Sequence, residues 1–305
     1  MEGSTMEEYC QAIDLQAWID RCEADFECRL NELATQVLQN KNVHLFRLSG
    51  PTCSGKTTLA TLLKKRFAEV GKHLHLISID DFFYDKERLH QISADEGNEE
   101  LDYDSAKTIE WEELSRFLRE IFSEQESHCP IFSFQEGKRT GYRTVASREN
   151  DFFLFEGIQA FYPEFSALLK EQNHDSIGLY IAPMRDLEVN GEVIVPNELR
   201  LLRRLVRDYN FRNSSPEQTF ALWASVRRNE EQNVFPYASF AQYQIDSTMP
   251  YELGVLKPYL ERILLSVPPK SPYRTTVEKI LRQMEHVEAI PSTMIAEGSL
   301  YREFI

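Results

Sequence analysis

Residues 48–60 read LSGPTCSGKTTLA and contain the pattern G-x-x-x-x-G-K-T from Gly50 to Thr57. Glycines in this pattern let backbone N–H groups turn inward around a phosphate, and the lysine places a cation on the terminal phosphates. The threonine hydroxyl after the lysine is suited to hold Mg²⁺. The residues predicted to bind a nucleotide here are Gly50, Pro51, Thr52, Cys53, Ser54, Gly55, Lys56, Thr57 and Thr58.

The residues around this loop predict a strand before it and a helix after it. A β-rich run ends at the first glycine, and apolar residues then recur at helical spacing until Gly71. Three further apolar runs, HLHLISID, DFFLFEG and SIGLYIAP, are separated by helical patterns. Strands that alternate with helices predict an α/β fold with a parallel sheet flanked by helices, whose ligands bind beyond the carboxyl ends of the strands.

The composition of the 305-residue chain restricts its partners and its compartment. Its 49 acidic and 34 basic residues give a formal net charge of −15, which argues against a nucleic-acid backbone or an anionic membrane as partner. The chain shows no run of about 18 apolar residues and no basic leader followed by an apolar segment. Its five cysteines are an odd number without C-x-x-C spacing. We therefore expect a cytoplasmic protein with reduced thiols, no nucleic-acid partner and no membrane partner.

Acidic residues end two of the predicted strands. The run SIDDFFYD places Asp80 and Asp81 after the second strand, where one carboxylate could accept the proton of an incoming hydroxyl while the other orients metal or water. A helix cap or a solvated loop is the alternative for this pair. Glu156 ends the almost wholly apolar run DFFLFEG, and a charge there is costly without a cation or hydrogen bonds nearby.

Basic residues concentrate in one helical stretch of this acidic chain. The stretch LRLLRRLVRDYNFR covers residues 199–212. A bound polyanion needs a local basic pocket, for which this stretch is the candidate, and a solvated arginine-rich helix is the alternative. Its arginines are Arg200, Arg203, Arg204, Arg207 and Arg212.

Five ordered motifs together resemble those of the uridine kinase family, within the wider group that includes phosphoribulokinase and nicotinamide riboside kinase. The resemblance covers about residues 43–260, and it is strongest to the longer bacterial uridine or nucleoside kinases. It implies a P-loop NTPase fold, with a kinase domain at 41–263. Helical patterns on either side predict an N-terminal helical segment (1–40) and a C-terminal helical extension (264–305). The motifs are GPTCSGKTT, SIDDFFYD, LDYDSAKTIEWEEL, FFLFEGIQAF and RLLRRLVRDYNFR.

The resemblance implies transfer of the γ-phosphoryl group of ATP to a hydroxyl, with Mg²⁺ bound, and it assigns roles residue by residue. Asp80 corresponds to the catalytic base, because in relatives with an Asp-Asp pair the first aspartate has that role. Asp104 corresponds to the aspartate that holds the substrate ribose, with a helix N-cap as its alternative role. Thr57 and Glu156 correspond to the metal ligands.

The basic stretch corresponds to a lid that such kinases close over ATP. The matching lid arginines are Arg204, Arg207 and Arg212. A further lid arginine is expected two residues past Arg212, but Ser214 stands there. This predicts that the positive charge of the lid is weaker, or that Arg203 supplies the missing charge. The predicted catalytic residues are Asp80, Lys56 and Arg207, and the residues expected to join the loop in binding ATP are Arg207 and Arg212.

The nucleobase pocket departs from the family pattern. Uridine–cytidine kinases contact the pyrimidine with a Tyr and a His, and the matching positions within IFSFQEGKRTGYR are Phe132 and Gly137, which have no polar side-chain group. Phe134 could stack on a base, with loop packing as its alternative role. Three further residues that could reach the substrate, or only pack in the loop, are Arg139, Tyr142 and Arg143. The predicted substrate-binding residues are Asp80, Tyr84, Asp104, Phe134, Arg139 and Arg204.

We therefore expect an ATP- and Mg²⁺-dependent kinase that phosphorylates the 5′-hydroxyl of a nucleoside such as uridine or cytidine, in nucleotide salvage. Two alternatives remain open. A related kinase acting on a sugar phosphate or a vitamin-like riboside would keep every catalytic residue, although no extra basic cluster beside Asp104 favours a substrate phosphate. A nucleotide-binding regulatory protein without turnover would not need Asp80, Lys56 and Glu156. A homo-oligomer is compatible with the sequence, which does not give the number of subunits.

Overall fold

The computed structural model describes residues 14–40, 42–95, 105–123, 126–189 and 191–305. Asp104, the residue for which the family resemblance predicts the ribose contact, lies outside the described residues. The four cysteines within those ranges are all free thiols. Among the described helices, none is long and apolar enough to cross a membrane.

Helices and strands alternate through most of the chain. The α helices are α1 (Leu15–Gln39), α2 (Lys56–Glu69), α3 (Lys86–Asp95), α4 (Trp111–Ser123), α5 (Pro163–Glu171), α6 (Pro196–Phe211), α7 (Pro216–Asn233), α8 (Glu252–Leu265) and α9 (Arg274–Glu285). The strands are β1 (Leu45–Ser49), β2 (Leu74–Ser78), β3 (Glu126–Ser133), β4 (Lys138–Ala146), β5 (Phe152–Glu156), β6 (Ser176–Ala182), β7 (Leu187–Val189), β8 (Glu192–Ile194) and β9 (Tyr243–Asp246). Two of the short 3₁₀ turns between them bear on the site, Ile79–Phe82 and Leu300–Glu303.

Five strands form one parallel sheet in the order β2-β5-β1-β6-β9. This confirms the predicted α/β fold with a parallel sheet flanked by helices, and four of the five strands are the apolar runs seen in the sequence. Parallel neighbours require long crossover connections, which helices provide here. Because β1 lies in the middle of the sheet, the loop that follows it opens at the centre of the carboxyl edge.

Alternate side chains of the sheet enter two separate cores. On one face, Phe152 and Leu154 of β5 pack in the same core as residues of α1, α2, α6, α8 and α9. On the other face, Phe153 and Phe155 pack with residues of α4 and α5. Coverage on both faces explains why β5 is apolar at nearly every position and why its terminal carboxylate stands out.

The N-terminal and C-terminal segments share one core with the sheet. Residues of α1, of α9 and of the turn Leu300–Glu303 belong to the same cluster of buried side chains. Helix α8 continues through position 263, where the sequence-based division places the end of the kinase domain. The division into 1–40, 41–263 and 264–305 stays a prediction.

Two small antiparallel pairs and the edge strand β9 were not predicted. The hairpin of β3 and β4 stands apart from the main sheet, and β7 pairs with β8. Most positions of β4 are exposed or half-buried, so its sequence KRTGYRTVA has little of the apolar alternation that indicates a strand.

Candidate active site

The phosphate-binding sequence forms a loop between the carboxyl end of β1 and the start of α2, as predicted. Gly55 has a φ of +96°, in the left-handed region, and a Cβ there would lie 2.6 Å from the side chain of Leu300. A Cβ at Gly50 would overlap the carbonyl oxygen of Ile181. Both positions therefore require glycine, and the loop presents the free N–H groups of the α2 N-terminus at the sheet edge.

A buried ion pair supports this loop from the side. Arg200 donates to the two carboxylate oxygens of Glu230 on α7 at 2.5 and 2.7 Å, and the two side chains are 1% and 3% exposed. Arg200 also donates to the carbonyl of Thr52 at 3.1 Å, and Glu230 accepts from the Thr52 N–H at 3.0 Å. Arg200 therefore holds the loop conformation and is already neutralised by a carboxylate.

Arg203 also supports the phosphate loop, through the backbone of Cys53. Its fully buried guanidinium donates to the two carboxylate oxygens of Glu252 at 2.7 and 3.0 Å and to the carbonyl of Cys53 at 3.3 Å. The hydroxyl of Tyr301 accepts a further hydrogen bond from it at 3.0 Å. The expectation that Arg203 replaces the missing lid arginine is wrong, because its charge is enclosed and paired with Glu252.

Glu156 lies between the phosphate loop and the aspartate pair. Its backbone is in register with Leu48 of β1 on one side and with Ser78 of β2 on the other. The Ser78 hydroxyl donates to the Glu156 carboxylate at 3.2 Å. Burial, reinforced by the charge of Asp80 and opposed by that of Lys56, raises the pKa of Glu156 from 4.5 to about 7.

The two aspartates after β2 have different surroundings. Asp81 accepts from the N–H of Phe132 at 3.3 Å and pairs with Arg143 at 3.4 Å, so it joins the turn Ile79–Phe82 to the hairpin. Burial raises the pKa of Asp80, and this effect is opposed by the Lys56 cation and by a hydrogen bond with Gln159. The carboxylate of Asp80 thus faces the phosphate loop, whereas Asp81 is engaged with β3 and β4.

Lys56 connects the loop with these carboxylates. Its ammonium group donates to the carbonyls of Gly50 at 2.8 Å and Pro51 at 3.1 Å. Its charge also interacts with Asp80 and Glu156. The Lys56 cation therefore lies on the phosphate loop, within reach of the charges of Asp80 and Glu156.

Asp208 contacts all three arginines predicted for the lid. Its carboxylate accepts from Arg204 at 3.1 Å and from Arg207 at 2.8 and 3.0 Å, and it lies 3.7 Å from Arg212. The side chains of Arg204 and Arg207 are each 11% exposed, whereas that of Arg212 is 58% exposed. The end of α6 thus brings these predicted residues together, and Arg212 is the arginine of the three that is open to solvent.

Aromatic side chains lie beside the turn that carries Asp80. Phe134 is 61% exposed and packs edge-on against Phe83 and Phe132, with ring centroids 5.6 and 5.2 Å apart. Gly137 has a φ of +65° in the turn between β3 and β4, which accounts for glycine there. Tyr84, in the segment between Phe83 and α3, is half-buried. The exposed Phe134 ring is of the kind on which a nucleobase can stack.

The polar residues of the hairpin are paired within the protein. Arg139 donates to Glu110 at 2.5 Å and to the hydroxyl of Tyr142 at 2.9 Å. Arg143 contacts Asp81 and donates to the carbonyl of Leu76 at 3.3 Å. Arg139 can therefore bind a substrate group only if its hydrogen bond to Glu110 breaks or if Glu110 and the substrate group both accept from it.

The C-terminal turn Leu300–Glu303 reaches the phosphate loop, a contact that sequence patterns did not predict. Leu300 covers Gly55, and Glu303 accepts from the Thr58 hydroxyl at 2.9 Å. The Glu303 charge interacts with Glu156 and Arg207. Glu303 is 245 residues beyond Thr58 in an ordinary polar sequence, so no local signal marks it.

The two residues expected to hold Mg²⁺ fit a divalent cation. Glu156 is a carboxylate whose burial disfavours its own charge, and a bound cation would restore the ionised form. Thr57 is exposed on the first turn of α2 and adds a hydroxyl oxygen. Oxygen ligands of this kind suit Mg²⁺, which keeps several waters and binds few protein groups.

A family model and several known proteins match this chain. Residues 46–251 match the sequence model of the phosphoribulokinase / uridine kinase family. The uridine kinase of Ureaplasma urealyticum serovar 10 is 27% identical over 188 residues, which cover 61% of this chain and 79% of that protein. The uridine kinase of Halobacterium salinarum is 28% identical over 191 residues, which cover 62% of this chain and 73% of that protein.

A solved structure shares the fold. The D-glycerate 3-kinase of Cryptococcus neoformans var. grubii superimposes with a TM-score of 0.51 at 15% sequence identity, covering 72% of this chain and 97% of that chain. At this identity the likeness shows the fold alone.

Proposed function

The chain belongs to the phosphoribulokinase / uridine kinase family, and from this membership we propose that it transfers the γ-phosphoryl group of ATP to the 5′-hydroxyl of a nucleoside. The family and its uridine kinase relatives make it a phosphotransferase at the family level. The choice of a nucleoside as acceptor, and of uridine or cytidine among nucleosides, belongs to the proposal.

The register of β5 is the observation that carries this proposal. It places Glu156 between Leu48, which leads into the phosphate loop, and Ser78, which leads into Asp80. A group that binds phosphate, a group that can hold a cation and a group that can accept a proton therefore meet at one edge of the sheet. This is the set that phosphoryl transfer to a hydroxyl requires.

Asp80 acts as the base in this mechanism. Its carboxylate accepts the proton of the 5′-hydroxyl as the hydroxyl oxygen attacks the γ-phosphorus in line with the leaving ADP oxygen. Burial raises the pKa of Asp80, and Lys56 and Gln159 oppose this effect by favouring the ionised form that this role needs. Asp81 keeps the turn attached to the hairpin and so positions Asp80.

Lys56 and the arginines of α6 stabilise the charge that develops on the transferred group. Lys56 sits on the loop, and Arg207 and Arg212 exchange part of their interaction with Asp208 for the phosphates when the lid closes. Lid closure also excludes water, which would otherwise compete as acceptor. Thr57 and Glu156 would hold Mg²⁺, which would supply positive charge to neutralise the phosphates of ATP.

The hairpin beside Asp80 supports a nucleoside as the acceptor. The exposed ring of Phe134 offers a stacking surface, and Phe132 and Gly137 offer no polar side-chain group to a particular base. Recognition of the base by shape alone gives weak selectivity between bases, because no polar group is left unpaired by a wrong one.

A panel of acceptors tests the proposal. Initial rates of ADP release are measured with ATP and Mg²⁺ and one acceptor at a time: uridine, cytidine, adenosine, nicotinamide riboside, a pentose phosphate and D-glycerate. We expect ribonucleosides to give the highest kcat/KM, and a reaction without acceptor gives the background rate of ADP release. A higher kcat/KM for D-glycerate or the pentose phosphate would rule out a nucleoside as the acceptor. If none of the acceptors stimulates ADP release, a regulatory protein without turnover is favoured.

A further inference from the structure

Two histidines and an aspartate meet at the edge of the sheet opposite the phosphate loop. His73 immediately precedes β2, His75 is the second residue of β2, and Asp151 immediately precedes the neighbouring strand β5. Residues two positions apart on a strand point to the same face, so both imidazoles lie on the side of Asp151. None of the three takes part in the phosphoryl transfer described above.

Three atoms that can ligate a metal converge within this cluster. Oδ2 of Asp151 lies 2.8 Å from Nε2 of His75 and 3.3 Å from Nδ1 of His73, and the two ring nitrogens are 3.0 Å apart. Groups of three or more His, Cys, Asp or Glu residues can hold a metal when their ligand atoms lie close together. Across the described ranges, these three side chains form the one such group whose ligand atoms all lie within 4.8 Å of one another. In a tetrahedral Zn²⁺ site with bonds of about 2.0–2.2 Å, neighbouring ligand atoms lie about 3.3–3.6 Å apart. Shifts of a few tenths of an ångström would give one face of that tetrahedron.

Hydrogen bonding between neutral imidazoles and the carboxylate leaves either two donors or two acceptors of this triangle facing each other. A neutral imidazole has one N–H and one lone pair. If both facing nitrogens carry hydrogens, two N–H groups 3.0 Å apart compete for Oδ2 of Asp151, which already accepts from the N–H of Arg148 at 3.0 Å. If one of them carries no hydrogen, its lone pair can meet at most one donor, and it repels the carboxylate oxygen. A cation accepts a lone pair from all three atoms at once.

Neighbouring groups hold two of the three side chains in place. The His75 ring stacks on Phe153, with centroids 4.9 Å apart and planes at 14°, and the Arg148 N–H fixes the Asp151 carboxylate. The side chains of His75 and Asp151 are 11% and 9% exposed, whereas His73 is 57% exposed. Outer contacts of this kind orient metal ligands, and the open side at His73 leaves a path for a cation and room for water.

We propose that His73, His75 and Asp151 bind a Zn²⁺-type divalent cation, with water as the remaining ligand. Two imidazole nitrogens and one carboxylate oxygen suit Zn²⁺, whereas Mg²⁺ prefers oxygen ligands alone. The cation joins the amino ends of β2 and β5, so its binding stabilises the sheet at the edge opposite the reaction.

Metal titration of the full-length protein tests the site. Metal-free wild-type protein and the variants His73→Gln, His75→Gln and Asp151→Asn are titrated with Zn²⁺ by calorimetry and with Co²⁺ by visible absorption. The matched control is His128→Gln, which removes an exposed histidine of β3 away from the cluster. Cation binding at the phosphate site or at a thiol is common to all five proteins, so the difference between them reports the cluster.

We expect wild type and His128→Gln to bind one more equivalent of Zn²⁺ or Co²⁺ than the cluster variants do. The additional Co²⁺ should show the visible absorption of a tetrahedral centre. Loss of a ligand should weaken Zn²⁺ binding by more than the about 10- to 100-fold that loss of an outer contact costs. Zn²⁺ should also raise the Tm of wild type but not of His73→Gln. Equal stoichiometry and affinity in wild type and His73→Gln would overturn the proposal. Because His73 is exposed, this variant decides the question even if Asp151→Asn folds poorly.

Discussion

Glu303 accepts a hydrogen bond from the Thr58 hydroxyl at 2.9 Å, and the same carboxylate oxygen lies 3.4 Å from the Thr58 N–H. Both donors belong to the start of α2, where the helix dipole and free N–H groups attract anions. A carboxylate from the C-terminal turn therefore occupies donors that the sequence motif assigns to the nucleotide.

Glu303→Gln is expected to tighten ATP binding by about 5-fold. Replacing a hydrogen bond to a charged group by one to a neutral amide removes about 1 kcal/mol of the interaction that competes with the phosphates. Calorimetry of ATP binding to the variant measures the change. Glu297→Gln, which removes an exposed glutamate from the same terminal segment, controls for net charge. Weaker ATP binding in Glu303→Gln alone would mean that Glu303 assists the nucleotide rather than competing with it.

Asp80→Asn is expected to lower kcat by about 10²- to 10⁴-fold, the range for a lost general base, with little change in ATP affinity. Asp81→Asn keeps a side chain that can accept from the Phe132 N–H and should lower kcat by less than about 10-fold. Steady-state kinetics of the two variants at saturating ATP separate the roles. The opposite ranking would transfer the base to Asp81.

The pKa of Glu156 predicts how metal binding depends on pH. Because burial raises this pKa from 4.5 to about 7, the folded protein holds a proton that the unfolded chain has lost between these values. The contribution of Glu156 to the stability of the metal-free protein is therefore present below pH 4.5 and is lost as the pH rises through about 7.

A cation binds the ionised form, so its affinity should rise by about 10-fold between pH 6 and pH 8. Mn²⁺, a paramagnetic substitute for Mg²⁺, allows this to be measured by electron paramagnetic resonance in the nucleotide-free protein. Glu156→Gln should bind Mn²⁺ more weakly and without this pH dependence. If the Mn²⁺ affinity of the wild type does not change between pH 6 and pH 8, Glu156 is not a ligand of the metal.

Arg203→Met is expected to lower the free energy of unfolding by about 3–5 kcal/mol, because it leaves Glu252 buried without its partner. Arg204→Met should cost less, since Asp208 keeps its contacts with Arg207. Urea denaturation of both variants provides the comparison. A smaller loss for Arg203→Met than for Arg204→Met would contradict the structural role given to Arg203.

The fold was predictable because its central strands combine two local signals. Strand β5 is buried on both faces and therefore reads as an apolar run, which ends in Glu156, and the mainly apolar strand β1 ends directly before the G-x-x-x-x-G-K-T sequence. The hairpin of β3 and β4 was not predicted, because it is largely exposed or half-buried and its sequence lacks the apolar alternation that indicates a strand.

The roles of individual arginines could not be predicted from their common stretch. Arg200 and Arg203 lie in the same helix as Arg207, but their partners Glu230 and Glu252 are 30 and 49 residues away. Local spacing therefore does not tell which arginines turn inward to support the loop and which pair with Asp208. The same holds for Glu303, whose contact with Thr58 depends on the path of the whole C-terminal segment.

The most direct test of a nucleoside 5′-kinase is identification of the product formed from ATP and uridine, by mass spectrometry and by phosphorus NMR. We predict uridine 5′-monophosphate in equal amount to ADP, with kcat/KM for uridine, cytidine and adenosine within about 10²-fold because the base is recognised by shape alone. We also predict much poorer use of 2′-deoxyuridine, as the family's ribose contact requires. ADP without a nucleoside monophosphate, or equal use of the deoxynucleoside, would contradict this account.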